Sequence, residues 1–579
     1  MQLIRRLRIP ALLCALAVLV CELIARPWVS MGISDDGPYI AVAQTFAATG
    51  HVVYNGWEAA MLGWQLYLAA AFIKLFGFSF TTVRMSTLLI AVVTAFVLQR
   101  ALVRVRISER NATLGTLALV LSPLYLMLSV TFMSDITGLF AIVICLYCCL
   151  RALQASSARA TIGWICFAVT SNVLCGTSRQ IDWLGTLVMV PSTLWLLRAR
   201  RRVLIVGAVT TLVGVLFIFG CMHWLKQQPY VIPVPLFVSD FPLVHTFFQL
   251  TYLLLDMPFL LLPIAVLFLP EIRKSRSRVI AVFSAALLVG IVLAAYPSHI
   301  RSSFEVLLEP TMRAGGDWVG VHGIHEGHHL QGTPPIFLNH GMQALLAILS
   351  LGGLLGLIAS FLRARRAHLP VDSSTTNAWK QLAVLMAPFT AGYILLLIAC
   401  AGTTYYLFDR YALGLLLVAL LCLLRYYQEY IHHQLPLASV FMIAVMAIYG
   451  IVVTHNMFSL YRARVALAAE LRANDIPDTS VDNGFEYNFG VELQHTDHIN
   501  DPRIIVPAHA YVSVPPLPAG TCEMFWHDKA PHIHPVYGIS FDPNACYGPA
   551  PFASIHYSRW LARSPGTLYV VRYIPASKP

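Results

Sequence analysis

A few charged side chains stand alone in a chain that is otherwise strongly apolar. Asp35 and Asp36 follow an apolar run directly, in the stretch ISDDGPYIAVAQ, and Asp135 lies in TFMSDITGLF. Isolated arginines occur in similar surroundings, among them Arg179 in GTSRQIDW. Carboxylates are suited to acid–base chemistry and arginines to binding anions. Charge at the edge of a membrane is expensive, so such residues are typical of a functional site.

A structural explanation competes for the acidic pair. The sequence DGPYIAVAQ is typical of a helix start, with Pro38 near the first turn, and an aspartate is a favoured N-cap residue. One acid suffices to cap a helix, so a pair exceeds what capping needs. Which of Asp35 and Asp36 caps the helix and which does chemistry stays open at this point.

The composition indicates a membrane protein. Of the 579 residues, 58% are hydrophobic and 12% are charged, and the mean hydropathy is +0.69. Apolar runs of membrane-spanning length recur along most of the chain. The formal net charge of +11 comes from short basic clusters between these runs, which is the pattern of cytoplasmic loops and not of nucleic-acid binding.

The basic clusters set the predicted topology. With each cluster on the cytoplasmic side, the apolar runs predict about thirteen membrane-spanning helices within residues 1–457. Residues 31–84 form the first external loop, with two interfacial helices at about 37–50 and 61–76. After the first span near the N-terminus, the predicted spans are about 85–103, 112–131, 135–151, 161–178, 181–198, 203–224, 246–270, 279–297, 337–362, 379–401, 411–425 and 437–457.

The last part of the chain differs in composition. Residues 458–579 are richer in Asn, Asp, Pro and His, and their apolar runs are of strand length, such as RIIVPAH and TLYVVRYI. We expect a small extracytoplasmic α/β domain. Cys522 and Cys546 lie there, and outside the cytoplasm they could form a disulfide.

On this topology the isolated charges converge on the external membrane face. Each of them alone has a structural explanation as a helix cap or an interface anchor. Convergence of acids and arginines from distant parts of the chain favours a site. The residues are Asp35, Asp36, Asp135, Arg84, Arg179 and Arg410, with Asp182 and Asp409 beside the last two arginines.

The order of these motifs resembles the GT-C superfamily of glycosyltransferases that use polyprenyl-phosphate sugars, and in particular the branch with the aminoarabinose transferase and the protein O-mannosyltransferases. The matching stretches are SDDGPYIAVAQTFAATG, LYLAAAFIKLFGFSFTTVRMSTLL, LSPLYLMLSVTFMSDITGLF, FDRYALGLLL and ALAAELRANDIPDTSVDNGFEYN. They cover most of residues 20–200 and about 400–490. The middle of the chain matches in topology alone.

The resemblance implies a GT-C fold and transfer of a sugar from a polyprenyl-phosphate donor to a hydroxyl of a lipid, glycan or protein acceptor. It makes Asp35 the counterpart of the first loop acid, the catalytic base, with Asp36 where many relatives have Glu, and Asp135 the second acid. Inversion at the anomeric carbon would follow from a single displacement. The residues expected to bind the donor phosphate or the acceptor are Arg84, Arg179, Arg410 and Tyr39.

The resemblance implies no certain cofactor, but one external loop has metal-binding residue types. The stretch VHGIHEGHHLQG places His322, His325, His328 and His329 close together. No HExxH helix accompanies them, so a polar loop with incidental histidines is the simpler interpretation. A divalent metal bound there would be structural.

A transporter or flippase of lipid-linked sugars is the alternative function. Transporters tend to place charges near the membrane midplane and to contain repeated halves. Here the charges lie at one face and no repeat is evident, which favours the enzyme. We expect a multi-pass protein of the bacterial inner membrane with its C-terminal domain in the periplasm.

Overall fold

Helices dominate the computed structural model, which describes residues 9–235, 241–275, 277–295, 330–367, 373–403 and 407–575. The α-helices are α1 (Ile9–Ala25), α2 (Asp36–Thr49), α3 (Gly63–Phe76), α4 (Phe80–Arg104), α5 (Glu109–Val120), α6 (Pro123–Ser129), α7 (Ser134–Gln154), α8 (Ala158–Cys175), α9 (Val190–Leu196), α10 (Arg201–Lys226), α11 (Leu243–Leu260), α12 (Leu262–Ala265), α13 (Leu269–Lys274), α14 (Arg278–Ala295), α15 (His340–Ala367), α16 (Ser373–Thr403), α17 (Leu413–Tyr430), α18 (Leu437–Ala473) and α19 (Phe485–Thr496). Short 3-10 helices lie at Gly176–Ser178, Gln180–Trp183, Val266–Phe268, Asp409–Ala412, Asp478–Ser480 and His527–Lys529, and a π-helix at Gly185–Met189.

The helices confirm a polytopic α-helical membrane protein. Among the described residues, nine helices are long and apolar enough to cross a membrane, or ten if α5 and α6 together form one bent span. Their outward faces carry exposed apolar side chains, such as Leu212, Leu216 and Phe219 on α10. Side chains of this kind suit a lipid environment. The predicted count of about thirteen spans is not confirmed.

The predicted span 112–131 is broken. Its two halves, α5 and α6, meet at an angle of 68°. Ser122 caps α6 by accepting a hydrogen bond from the backbone N–H of Tyr125, and Pro123 occupies the start of that helix. Proline has no N–H for the preceding turn and its ring crowds that turn, so a continuous helix is disfavoured here.

The first loop contains the two predicted short helices. They are α2 and α3, close to the expected ranges 37–50 and 61–76. Gly50 ends α2 in a left-handed conformation with φ of 74°, which glycine adopts without strain. Both helices pack on each other, and α1, α4 and α7 form the core beneath them. This loop carries the acidic pair.

The chain passes from the membrane into the C-terminal domain through one continuous helix, α18, which extends beyond residue 457. The domain has a four-stranded sheet in the order β1 (Val481–Asp482), β2 (Tyr537–Ser540), β4 (Gly566–Arg572), β3 (Ile555–Tyr557). Strand β1 pairs in parallel with β2, and β4 pairs antiparallel with both of its neighbours.

Two details of the C-terminal domain bear on the sequence expectations. The stretch TLYVVRYI supplies most of β4, whereas RIIVPAH forms no strand. Cys522 and Cys546 are joined in a disulfide, with their Cα atoms 5.8 Å apart. The mixed α/β character of this part of the chain is therefore present, around a smaller sheet than the apolar runs suggest.

Candidate active site

Asp36 lies inside the protein, and its carboxylate is fully engaged. Arg84 donates from Nε and Nη2 to the two carboxylate oxygens at 2.8 and 3.0 Å, and both side chains are completely buried. The backbone N–H groups of Ile33 and Phe132 donate to the same oxygens at 2.7 and 3.2 Å. Since a carboxylate has about four acceptor positions, these four bonds occupy all of them.

Arg84 is committed to the same structure. Besides Asp36, its guanidinium donates to the carbonyl oxygens of Val29 and Met31 at 3.2 and 2.7 Å. These bonds fasten the chain between α1 and α2 to the first turns of α4. The pair Asp36–Arg84 therefore holds the first loop in place. The guanidinium of Arg84 faces protein wherever it makes these hydrogen bonds.

Asp35, one residue earlier, is placed differently. The indole N–H of Trp57 donates to Oδ1 at 3.2 Å, and Arg410 Nη2 donates to Oδ2 at 3.0 Å. The side chain keeps 17% of its surface exposed. Each oxygen accepts one of these bonds, so the carboxylate retains capacity to accept a proton from an approaching group.

Arg410 connects Asp35 to Asp135. Its Nε lies 3.9 Å from Asp135 Oδ2, and Arg179 donates from Nη1 to the other oxygen of Asp135. The chain separation between Asp35 and Arg410 is 375 residues. We call the four side chains Asp35, Asp135, Arg179 and Arg410 the charged cluster. It contains half of the eight acids and arginines that the sequence placed on the external face.

Aromatic rings line the arginines of the charged cluster. The guanidinium carbon of Arg410 lies 4.3 Å from the ring centre of Phe408, and that of Arg179 lies 4.6 Å from the ring centre of Tyr411. Cation–π contacts of this kind fix a guanidinium in one plane and shield it from water. The Tyr411 backbone is itself held by the hydroxyl of Tyr393, which donates to its carbonyl oxygen at 3.0 Å.

Two glycines lie where the chain packs closely around these side chains. A Cβ on Gly32 would lie only 2.8 Å from the Cα of Gly37, so a tight turn brings the acidic pair to the start of α2. A Cβ on Gly138 would lie 2.0 Å from Asp182 Oδ2. Gly138 is one turn after Asp135 on α7, and its missing side chain makes room for a further buried acid beside the charged cluster.

Tyr39 lies one helical turn after Asp35 on α2 and is buried. Burial raises the pKa of its phenol well above the usual range, and the negative charge of Asp35 adds to the increase while Arg410 opposes it. The phenol therefore stays protonated at neutral pH.

Sequence reasoning missed Trp57 and Glu58. Trp57 lies in the first loop, and its indole N–H donates to Asp35. Glu58 is completely buried, and its Oε2 accepts from the backbone N–H of Asn55 at 3.2 Å while Oε1 has no hydrogen-bond partner among the described residues. A single acid within the apolar stretch VVYNGWEAAMLGW was the available signal.

The ionisation of Glu58 is perturbed by its surroundings. Burial raises its pKa from the ordinary 4.5 to about 7, against backbone hydrogen bonds that lower it, and the charge of Asp35 raises it further. The folded protein holds this proton more tightly than the unfolded chain does, so protonated Glu58 contributes to the free energy of unfolding. This contribution is complete below about pH 4.5 and is lost as the pH rises to about 7.

Glu58→Gln tests this ionisation, because glutamine resembles the protonated acid at every pH. We expect melting temperatures of the variant and the wild type to agree at pH 4 and to diverge at pH 8.5, where the variant is more stable by on the order of 3 kcal/mol. The measurement is thermal unfolding of the detergent-solubilised protein at both pH values. A constant difference between the two proteins across this pH range would contradict the raised pKa.

The histidines of the external loop, His322, His325, His328 and His329, lie outside the described residues. Within the described residues, no group of three or more His, Cys, Asp or Glu side chains is arranged to hold a metal ion. The charged cluster contributes two carboxylates, both engaged by arginines. Its donor set suits an anionic substrate better than a cation.

Comparisons with known proteins give structural matches alone, since no protein-family model and no curated protein sequence matches the chain. ArnT from Cupriavidus metallidurans in the apo state is similar with a TM-score of 0.37 and 13% identity, over 82% of each chain. The same protein bound to undecaprenyl phosphate gives 0.32 and 15%, over 72% of this chain and 76% of ArnT. The archaeal oligosaccharyltransferase AglB from Archaeoglobus fulgidus, in complex with an inhibitory peptide and a dolichol-phosphate, gives 0.38 and 14%.

The match to AglB covers 90% of this chain but 63% of AglB, so this chain spans less than two thirds of that enzyme. At these identities and TM-scores the likeness carries no residue roles. Those roles come from the side-chain geometry.

Proposed function

We propose that this protein is a membrane glycosyltransferase that moves a sugar from a polyprenyl-phosphate donor to an acceptor hydroxyl at the external membrane face. The observation that carries the proposal is the charged cluster, which sets one partly exposed carboxylate beside two arginines. The donor class comes from the resemblance of the loop motifs to the GT-C superfamily. The disulfide in the C-terminal domain supports an oxidising compartment on that side of the membrane.

In this proposal Asp35 is the catalytic base. An acceptor hydroxyl has a pKa far above 7, so a carboxylate must take its proton as the oxygen attacks the anomeric carbon. Asp35 has the exposure and the acceptor capacity for this step, whereas the oxygens of Asp36 are occupied by Arg84 and two backbone N–H groups. Asp36 and Arg84 then shape the loop that presents Asp35.

Arg410 and Arg179 would bind the donor phosphate. The new bond joins the acceptor oxygen to the anomeric carbon, the bond from that carbon to the phosphate oxygen breaks, and its electron pair leaves on the lipid phosphate. A guanidinium stabilises this growing charge through charge-assisted hydrogen bonds. Both arginines already contact Asp135, so Asp135 sets their orientation. Arg84, which the sequence also suggested, is buried with Asp36.

The charges of the cluster balance before a ligand binds. Two carboxylates and two guanidiniums cancel, so the arginines are held in place before the donor arrives. Protonation of Asp35 during the reaction removes one negative charge just as the leaving phosphate gains one. The transfer of the proton to Asp35 therefore strengthens the attraction between Arg410 and the leaving group.

Trp57 positions Asp35 through its indole N–H, and the C-terminal domain positions Trp57. The indole ring packs against Phe489 and Trp526, with ring centres 5.1 and 5.4 Å away, and Lys529 Nζ lies 5.0 Å from its centre. The backbone N–H of Ile499 also donates to the carbonyl oxygen of Asn55 at 2.7 Å. The domain beyond α18 thus forms one wall of the site.

Trp57→Phe keeps an aromatic ring in this contact and removes the donor to Asp35. We expect the acidic limb of the pH–rate profile to move to higher pH by about one unit, because the ionised form of Asp35 loses a hydrogen bond. The matched control is Trp526→Phe, an equal change within the same aromatic group, for which the limb stays in place. A Trp57→Phe profile that superimposes on that of the wild type would exclude this positioning role.

The proposed function is tested with the full-length protein in nanodiscs, incubated with polyprenyl-phosphate sugars and an extract of envelope lipids and glycans. Mass spectrometry should find free polyprenyl phosphate together with an acceptor heavier by one sugar residue. Both species should form at least about 10²-fold more slowly with Asp35→Asn. Donor that is recovered intact from every sugar and acceptor combination would contradict a transferase.

A further inference from the structure

The tip of the hairpin between β3 and β4 combines strain with apolar exposure. Leu561 has 76% of its surface exposed, and its backbone is in the left-handed region with φ of 57°. A branched apolar residue adopts this conformation only when its surroundings impose it. Strain that presents a large apolar side chain outward is typical of a contact surface.

The tip is clamped to α18 by the residue before Leu561. Asn456 accepts a hydrogen bond from the backbone N–H of Trp560 at 2.7 Å and donates to its carbonyl oxygen at 3.3 Å. The rings of His455 and Trp560 stack with centres 3.7 Å apart, and His455 Nε2 lies 3.3 Å from the hydroxyl of Ser558. This clamp fixes the height of Leu561 along α18.

Along α18, this position of Leu561 is level with the end of the apolar surface of α1. His455 Nδ1 contacts the carbonyl oxygen of Ala25, the last residue of α1, at 3.1 Å. The residues just before it, Leu23 and Ile24, are 53% and 47% exposed, as lipid-facing side chains are, and Arg26 follows. In a membrane whose hydrocarbon core ends at these residues, the hairpin tip would lie at the boundary with the lipid head groups.

Other exposed apolar residues lie on the elements that contact the hairpin. Ile336 is 58% exposed, and its carbonyl oxygen accepts from Arg559 Nη2 at 3.1 Å. On α18, Ile448 is 53% exposed two turns before His455, a rise of about 10 Å towards the membrane interior. The apolar surface of the spans thus continues upward to the hairpin tip.

The surface around the hairpin tip and the end of α1 is positively charged. Arg26, Arg462, Arg559 and Arg563 belong to it, and Arg462 Nη1 donates to the carbonyl oxygens of Arg26 and Trp28 at 3.0 and 3.2 Å. Residues 23–30, 330–340 and 555–565 contain no Asp or Glu. Basic side chains at this depth attract anionic head groups, and exposed Trp28 suits the same layer.

We propose that the tip of the β3–β4 hairpin inserts Leu561 into the membrane leaflet on the side of the C-terminal domain and binds anionic phospholipid head groups through Arg559 and Arg563. The partner is the lipid surface itself. This contact would hold the sheet of the C-terminal domain at a fixed height above the spans. It is independent of the proposed transferase activity, because neither its residues nor its test involve sugar transfer.

The test places an environment-sensitive fluorescent amino acid at position 561 of the full-length protein by amber suppression. In nanodiscs containing phosphatidylglycerol, with bromine on the upper part of the acyl chains, we expect emission at shorter wavelength and loss of most of the fluorescence. The same probe at Ser554, an exposed position just before β3, is the matched control and should keep its fluorescence. Equal emission and equal quenching at the two positions would overturn insertion.

The charge component is tested separately with Arg563→Glu, which carries the probe at position 561. Arg563 is exposed, so the substitution leaves packing intact. Quenching should fall in phosphatidylglycerol nanodiscs and stay unchanged in nanodiscs of phosphatidylcholine alone. Equal quenching of both proteins in both lipids would exclude the anionic head group as the partner.

Discussion

Asp35→Asn is expected to lower the rate of sugar transfer by about 10²–10⁴-fold, the usual contribution of a general base. Asparagine keeps the shape of the side chain and an oxygen for Trp57 or Arg410, but it takes up no proton. The melting temperature should stay close to that of the wild type, since the side chain is partly exposed at the surface of the site. Turnover per folded molecule and thermal unfolding of the same preparations measure both quantities.

A matched control separates the loss of the base from the loss of one negative charge. Asp497 is an exposed acid that ends α19 in the left-handed conformation, which asparagine also accepts. Asp497→Asn should transfer sugar at the rate of the wild type. Activity of Asp35→Asn equal to that of this control would remove Asp35 from the mechanism.

Asp36→Asn is expected to damage the fold itself. The substitution leaves the guanidinium of Arg84 buried without its counter-charge, which costs about 3–5 kcal/mol in comparable cases. It also weakens the acceptors of the Ile33 and Phe132 backbone N–H groups. A large fall in melting temperature and in the yield of folded protein should accompany any loss of activity.

The double variant Asp36→Asn with Arg84→Met distinguishes this explanation from a catalytic role of Asp36. Removing both charges restores neutrality in the core, so part of the lost stability should return, and with it part of the transfer activity. Asp36→Asn protein with the melting temperature of the wild type and no activity would assign the chemistry to Asp36 instead.

The sequence identified the acidic pair but not how its two members differ. The residue types, their order along the chain and the predicted side of the membrane were enough to place acids and arginines on one membrane face. The distinction depends on contacts that no local pattern shows, because Asp36 is held by Arg84 and by the backbone of Phe132, which lie 48 and 96 residues away. Arg410 reaches Asp35 over 375 residues. Periodicity and motif spacing do not predict tertiary contacts of this kind.

The membrane architecture was easier to predict than its irregularities. Apolar periodicity and helix-capping signals located α2, α3 and α4 to within a few residues. Ser122 and Pro123 indicate the bend between α5 and α6. The apolar run around them nevertheless led to the prediction of one continuous span. Trp57 and Glu58 were missed because an aromatic residue and a single acid in a loop carry little pattern of their own.

The most direct test of the central claim uses proteoliposomes loaded with a fluorescent polyprenyl-phosphate sugar and an external acceptor extract. We expect a new glycosidic bond to the acceptor and released polyprenyl phosphate, with both products formed at least about 10²-fold more slowly by Asp35→Asn. Movement of intact donor across the membrane without any new glycosidic bond would contradict a transferase, and would favour a transporter of lipid-linked sugars in its place.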